Sequence, residues 1–187
     1  MPVVKKVAVL LGDGFEPVEA IAPVDVLRRG GAEVTTVSVM ADRLVTAAQG
    51  VPVVADTQVK DVAFDDFDMI VVPGGSGGVE NLSKCRPLLD ALKDFAAQGK
   101  LIGSICAGPT ILANLQLLGG RKATCYPGCQ TNFPDGVYQD VYDVVRDSNL
   151  ITASGPGQAV AFGIELLRAL MGDQAAEDVA RGMLLER

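Results

Sequence analysis

One cysteine stands where a predicted strand turns sharply into a predicted helix. Residues 100–105 form a short apolar run typical of a buried strand, and residues 107–118 repeat apolar side chains at helical spacing. Cys106 lies at the corner between them, followed by the small residues Ala107 and Gly108. Backbone amides at a helix start favour a negatively charged sulfur, which is the nucleophilic form of cysteine. The spacing therefore favours a nucleophile at Cys106; the alternative is a small buried apolar residue.

Two glutamates after the first predicted strand are candidate partners for this thiol. Glu16 and Glu19 follow residues 5–11, and loops after parallel strands open at the same edge of a sheet. Two anions would repel each other, whereas a single proton shared between carboxyl and sulfur would activate the sulfur. The residues alone do not decide between the two glutamates, and both also fit a solvated helix start.

The chain contains no histidine. A mechanism that needs an imidazole base, such as that of the Cys-His thiol proteases, is therefore excluded for the isolated subunit. We expect a carboxylate to act as the base.

Composition predicts a compact, acidic, single-domain protein over residues 1–187. Hydrophobic residues make up 49% of the chain, and the net charge is −7. Without a basic cluster, nucleic acid is not an expected partner, and no apolar run is long enough to predict a membrane span. The first residues contain no cleavage-site pattern, so we expect a cytoplasmic protein with reduced cysteines. Cys125 and Cys129 have the spacing of a metal pair, but without histidine or a second close pair we predict no metal site.

Short apolar runs alternate with helical patterns along the chain, which predicts an α/β doubly wound fold. The glycine-rich residues 74–78 are expected to form a tight loop after a strand, and their spacing does not match a phosphate-binding motif. Strands are predicted at residues 5–11, 33–40, 51–54, 67–73, 100–105, 121–125, 141–145 and 150–153. Helices are predicted at residues 18–29, 86–98, 107–118, 158–171 and 174–185.

Four segments resemble the DJ-1/ThiJ/PfpI superfamily, in its DJ-1 and ThiJ-like branch. They read GFEPVEAIAPVDVLRRGG, DMIVVPGG, IGSICAGPTILA and TASGPGQAVAFGIELL, and they match in register over almost the whole chain. The resemblance implies a flavodoxin-like three-layer sandwich with a mostly parallel sheet and a cysteine nucleophile elbow, and usually a homodimer. It implies that Cys106 is the nucleophile and Glu19 the proton donor and acceptor, with the amides of Gly75 and Ala107 as oxyanion donors.

Two positions depart from patterns found in this superfamily. Tyr126 stands where many members have a histidine near the cysteine, and a phenol of ordinary pKa about 10 is a poor base at neutral pH. We therefore expect Tyr126 to be at most an auxiliary group, with Glu19 carrying proton transfer. The residue after the cysteine is Ala107, where the protease-like branch has a histidine, which argues against peptidase activity.

The resemblance implies a cofactor-independent enzyme that acts on reactive aldehydes or glycated groups, as a glutathione-independent glyoxalase or a deglycase. A second hypothesis is a redox sensor or chaperone that works through oxidation of Cys106. A third is a role in a thiamine pathway, for which the sequence supplies neither a thiazole nor a phosphate site.

Overall fold

A seven-stranded, mostly parallel sheet forms the centre of the protein. The computed structural model describes residues 4–185. Within them the strands are β1 (Lys6–Leu11), β2 (Glu33–Ser38), β3 (Leu44–Thr46), β4 (Pro52–Val54), β5 (Thr57–Gln58), β6 (Met69–Val72), β7 (Leu101–Ile105), β8 (Val144–Asp147) and β9 (Leu150–Ala153). The central sheet has the order β5-β2-β1-β6-β7-β9-β8, in which only β8 runs antiparallel to its neighbour. The five inner strands follow the flavodoxin-like order, as predicted.

Helices cover both faces of this sheet. They are α1 (Pro17–Arg29), α2 (Ser76–Leu82), α3 (Arg86–Gln98), α4 (Pro109–Asn114), α5 (Ala159–Met171) and α6 (Asp173–Gly182). Pro17 occupies the first turn of α1, where its missing N–H costs no hydrogen bond. Gly99 ends α3 in a left-handed conformation, with a φ of 69°.

Successive side chains of each strand point to opposite faces of the sheet, and this alternation divides the apolar core into two halves. In β1, Val7 and Val9 face a cluster built with α1, α5 and α6, whereas Ala8 and Leu10 face a cluster built with α2, α3 and α4. Strands covered on both faces need apolar side chains at every position, which explains the unbroken apolar runs in the sequence.

Several predicted elements differ from those in the structure. The helix predicted at 107–118 is limited to α4 and is followed by Gln116 in a left-handed conformation, with a φ of 60°. Residues 121–125 are not a strand; they make a single bridge, between Ala123 and Tyr138, because the facing segment is irregular. The strand predicted at 141–145 begins at Val144 instead. The glycine-rich residues 74–78 include the first turn of α2, so only part of them is loop.

The region between β2 and β5 contains a separate small sheet. β3 and β4 pair antiparallel to each other and do not join the central sheet. β4 lies within the strand predicted at residues 51–54, whereas β3 falls where no strand is predicted.

Candidate active site

Cys106 forms a tight elbow between β7 and α4. Its φ is 63°, in the left-handed region that residues with a side chain rarely adopt. Two backbone hydrogen bonds hold it there: its N–H donates to the Ala153 carbonyl at 2.9 Å, and its carbonyl accepts from the Tyr126 N–H at 2.8 Å. A Cβ at Gly108 would lie 2.7 Å from the Val72 carbonyl oxygen, so the turn also requires a glycine there. The half-buried thiol is thus presented at the carboxyl edge of the sheet.

Glu19, in the first turn of α1, reaches the elbow from the segment that follows β1, which is separated from β7 by β6. Its side chain is completely buried. Its Oε2 accepts a hydrogen bond of 2.8 Å from the Gly74 N–H. Its Oε1 is buried without a regular hydrogen bond to any residue in 4–185, although the Cys106 thiol interacts with the carboxyl. A proton held between the carboxyl and the sulfur would therefore satisfy both groups.

Gly74 brings this carboxyl and the sulfur together. A Cβ at Gly74 would lie 2.5 Å from Glu19 Oε2 and 3.1 Å from Cys106 Sγ, so both groups border the same small space. The site residues predicted from the sequence include Gly75 from this loop but not Gly74. The double glycine at the end of a buried strand was the available signal, since a close approach of backbone to side chains requires the absence of a Cβ.

The proton affinities of the two groups are coupled. Burial raises the pKa of Glu19 from 4.5 to about 7, against the hydrogen bonds from Cys106 and Gly74 that lower it. Burial and then the charge of Glu19 raise the pKa of Cys106 from 9.0 to about 12, against the Ala107 and Gly75 amides that lower it. Between these values the pair holds one proton.

The pKa of Cys106 is raised, whereas the sequence favours a lowered value. The sequence predicts that amides at the helix start favour the thiolate, and the amides of Gly75 and Ala107 do act on the sulfur in that direction. Burial and the neighbouring carboxylate outweigh them, so the thiol pKa is raised and not lowered. An activated sulfur at neutral pH therefore requires that Glu19 accept its proton.

Glu16 is the residue just before α1, and it is less buried than Glu19. It is half-buried, and its backbone N–H donates to the Gly74 carbonyl at 3.0 Å. Its charge contributes to the raised pKa of Glu19. Of the two glutamates that the sequence left open, only Glu19 has its carboxyl buried beside the sulfur.

Tyr126 lies beside the elbow and lines a cavity of about 360 Å³. It is joined to Cys106 through the backbone hydrogen bond, and half of its side chain is exposed. The cavity is lined by Tyr126, Pro127, Tyr142, Ser154, Gly155, Pro156, Gly157 and Gln158. None of these side chains is charged, so the cavity suits a small neutral molecule.

Comparison with known proteins identifies the family. The family model described as DJ-1/PfpI matches residues 5–169. The chain belongs to the DJ-1/PfpI family. This confirms the resemblance seen in the sequence, and the elbow and buried glutamate described above therefore lie on a DJ-1/PfpI fold.

Members of the DJ-1/PfpI family match the chain over nearly its full length. Protein dj-1beta of Drosophila melanogaster is 36% identical over 182 residues, which cover 97% of each chain. A Caenorhabditis elegans protein named glutathione-independent glyoxalase DJR-1.2 is 34% identical over 92% of this chain and 91% of its own. The solved structure of oxidized Toxoplasma gondii DJ-1 superposes with a TM-score of 0.93 at 35% identity and covers 97% of this chain and 98% of that one.

Two further findings concern metal ions and membranes. Within residues 4–185, no three His, Cys, Asp or Glu side chains cluster as ligands for a metal ion. In the same range, every helix is too short or too polar to cross a membrane.

Proposed function

We propose that this protein is a cysteine enzyme that converts reactive carbonyls without a cofactor, as a glutathione-independent glyoxalase or a deglycase. One observation carries the proposal: a fully buried carboxyl, with its pKa raised to about 7, borders the half-buried thiol of Cys106. A base whose pKa lies near the working pH is suited to moving protons in both directions. The relative named as a glyoxalase supports the same choice.

Methylglyoxal illustrates the proposed chemistry. Glu19 takes the thiol proton as the Cys106 sulfur adds to the aldehyde carbon, which gives a hemithioacetal. The N–H groups of Gly75 and Ala107 donate to the oxygen that becomes negative during this addition. Glu19 next passes the thiol proton to this oxygen and becomes a carboxylate again. It then takes the proton from the former aldehyde carbon and delivers it to the neighbouring carbonyl carbon, while the hydroxyl proton moves to the neighbouring oxygen, which leaves a thioester. Water hydrolyses the thioester to lactate and restores the thiol.

The direct test is lactate formation from methylglyoxal in the absence of glutathione. We expect Cys106→Ser to abolish turnover, because a hydroxyl of much higher pKa cannot be deprotonated by Glu19. Cys85→Ala is the matched control and should retain most activity, since Cys85 lies at the start of α3. An equal loss in both variants, or lactate formation that survives Cys106→Ser, would contradict the assignment of the nucleophile.

A second candidate function is redox sensing through Cys106. The sulfur is half-buried, and the Gly75 and Ala107 amides that lower its pKa could equally donate to a sulfinate. One related solved structure is that of oxidized Toxoplasma gondii DJ-1. A gain of two oxygens at Cys106 after mild peroxide treatment, without any lactate formation by the reduced protein, would favour this role over the enzyme.

A further inference from the structure

A second pair of thiols flanks the turn that carries Tyr126. Residues Tyr126–Cys129 form a β-turn in which the Cys129 N–H donates to the Tyr126 carbonyl at 2.9 Å. Pro127 and Gly128 occupy its central positions, and Gly128 has a φ of 94°, which is the pattern of a type II turn. The turn folds the chain back, so that Cys129 returns toward the residue that precedes the turn, Cys125.

Both cysteines converge on one backbone atom. The Cys125 thiol contacts the Tyr126 carbonyl oxygen at 3.5 Å, and the backbone N–H of Cys129 donates to the same oxygen. Both cysteines are free thiols. Burial raises the pKa of Cys125 to about 12, and the charge of Cys129 adds to this effect.

We propose that Cys125 and Cys129 form a reversible dithiol–disulfide couple, a redox site separate from Cys106. The shared contact with the Tyr126 carbonyl oxygen places the Cys125 sulfur near the backbone of Cys129, so a disulfide would close through rotation of the Cys129 side chain and adjustment of the turn. Cys129 is half-buried and is the thiol that a small oxidant can reach, whereas Cys125 is fully buried. The site therefore has an attacking thiol and a resolving thiol.

The oxidant that we assign to this site is a low-molecular-weight disulfide. The Cys129 thiolate attacks one of its sulfurs, which forms a mixed disulfide and releases one thiol. The Cys125 thiolate then attacks the Cys129 sulfur, which closes the intramolecular bond and releases the second thiol. Two protein thiols are oxidised, the external disulfide is reduced to two thiols, and the two protons leave the protein with those thiols.

The test uses the full-length protein, reduced and then equilibrated with mixtures of oxidised and reduced glutathione. Incubation at about pH 8.5 increases the ionised fraction of thiols with a raised pKa. Free thiols are then blocked and the peptides mapped by mass spectrometry. We expect a species lighter by two hydrogens that links Cys125 to Cys129, with Cys85 and Cys106 still free for blocking, and we expect dithiothreitol to reverse it.

Three variants make the result specific. Cys125→Ala should accumulate glutathione on Cys129, because no second thiol can displace it, whereas Cys129→Ala should form no disulfide at Cys125. Cys85→Ala should behave as the wild type. A wild-type protein that keeps glutathione on Cys129, or that links either cysteine to Cys106, would overturn the proposal. These readouts do not depend on carbonyl turnover, so they can fail or succeed independently of the proposed enzyme.

Discussion

At the scale of single residues, the proposed chemistry depends on one proton shared by Glu19 and Cys106. Glu19→Gln should reduce carbonyl turnover by about 10² to 10⁴-fold, because the amide cannot accept the thiol proton. The same change removes the carboxylate charge that raises the pKa of Cys106. Alkylation of Cys106 by iodoacetamide at neutral pH should therefore be at least as fast as in the wild type. Raising the pH to about 8 should not restore turnover, since the base itself is missing.

Glu16→Gln is the matched control for this experiment. It removes one carboxylate from the same loop but leaves the buried carboxyl of Glu19 beside the sulfur. Turnover should stay near the wild-type level. Glu19→Asp should lose turnover as well, because the shorter side chain withdraws the acid from the sulfur. If Glu19→Gln turns over methylglyoxal at nearly the wild-type rate, Glu19 only orients the thiol and is not the base.

The sequence was enough to place Cys106 at an elbow between a strand and a helix, but not to describe its electrostatics. The elbow follows from an apolar run that meets small residues, which is a local pattern. The pKa of Cys106 depends first on the burial of its own thiol and then on the charge of Glu19, and both are properties of the packed structure and not of one segment. The choice of Glu19 over Glu16 was open from the residues themselves and came from the family resemblance.

At the scale of elements, the end of β6 positions the carboxyl and the sulfur. Gly74→Ala should lower carbonyl turnover by about 10²-fold, because the added methyl group would lie 2.5 Å from Glu19 Oε2 and displace it from the reacting sulfur. The loss should appear in kcat more than in KM. Steady-state kinetics should show the lower kcat, and circular dichroism should show that the protein is still folded.

Gly119→Ala provides the control for Gly74→Ala. A Cβ at Gly119 would meet nothing within 4 Å, so this variant should retain turnover. Equal activity of the two alanine variants would mean that Gly74 does not determine where Glu19 lies.

Elements with strong local patterns were predicted more closely than those formed by distant pairing. α3 lies at the predicted residues, 86–98, because its apolar spacing and its terminal glycine are both local signals. Residues 121–125 look equally strand-like, yet they pair at one position only because the residues facing them are irregular. The availability of a partner strand is a property of the fold that a single segment does not reveal.

At the scale of the whole molecule, we expect a homodimer that uses the exposed apolar face of α1. Val18 and Ile21 are 42% and 41% exposed although they belong to a helix packed on the sheet. Ile21→Glu should shift the protein toward monomer in light scattering, because it would place a charge in the interface. Val54→Glu, at a residue that is 64% exposed on β4, is the control and should leave the assembly unchanged. A wild-type protein that scatters as a 19.5 kDa monomer at micromolar concentration would contradict the dimer.

The buried carboxyl should also make global stability depend on pH. The folded protein raises the pKa of Glu19 from 4.5 to about 7, so it favours the protonated form more than the unfolded chain does. This contribution is complete below about pH 4.5 and is lost as the pH rises through about 7. In urea unfolding, the free energy of unfolding of Glu19→Gln should rise relative to that of the wild type by up to about 3 kcal/mol across this interval. Carboxylates with a lowered pKa, such as Asp56 and Asp68, are present in both proteins and cancel in the difference. A constant difference from pH 4 to pH 8 would mean that Glu19 titrates as an ordinary carboxyl.

The outer strands of the central sheet restrict how copies of the chain can join. β5, at one edge, contains only Thr57 and Gln58 and offers little backbone for another strand to pair with. β8, at the other edge, carries the exposed Arg146, whose guanidinium lies 3.1 Å from the Glu165 carboxylate. Short edges and charged edge residues discourage strand addition between molecules. At high protein concentration, copies of the chain should therefore associate through helix faces and form closed assemblies. They should not add strand to strand at the sheet edges and grow into fibres.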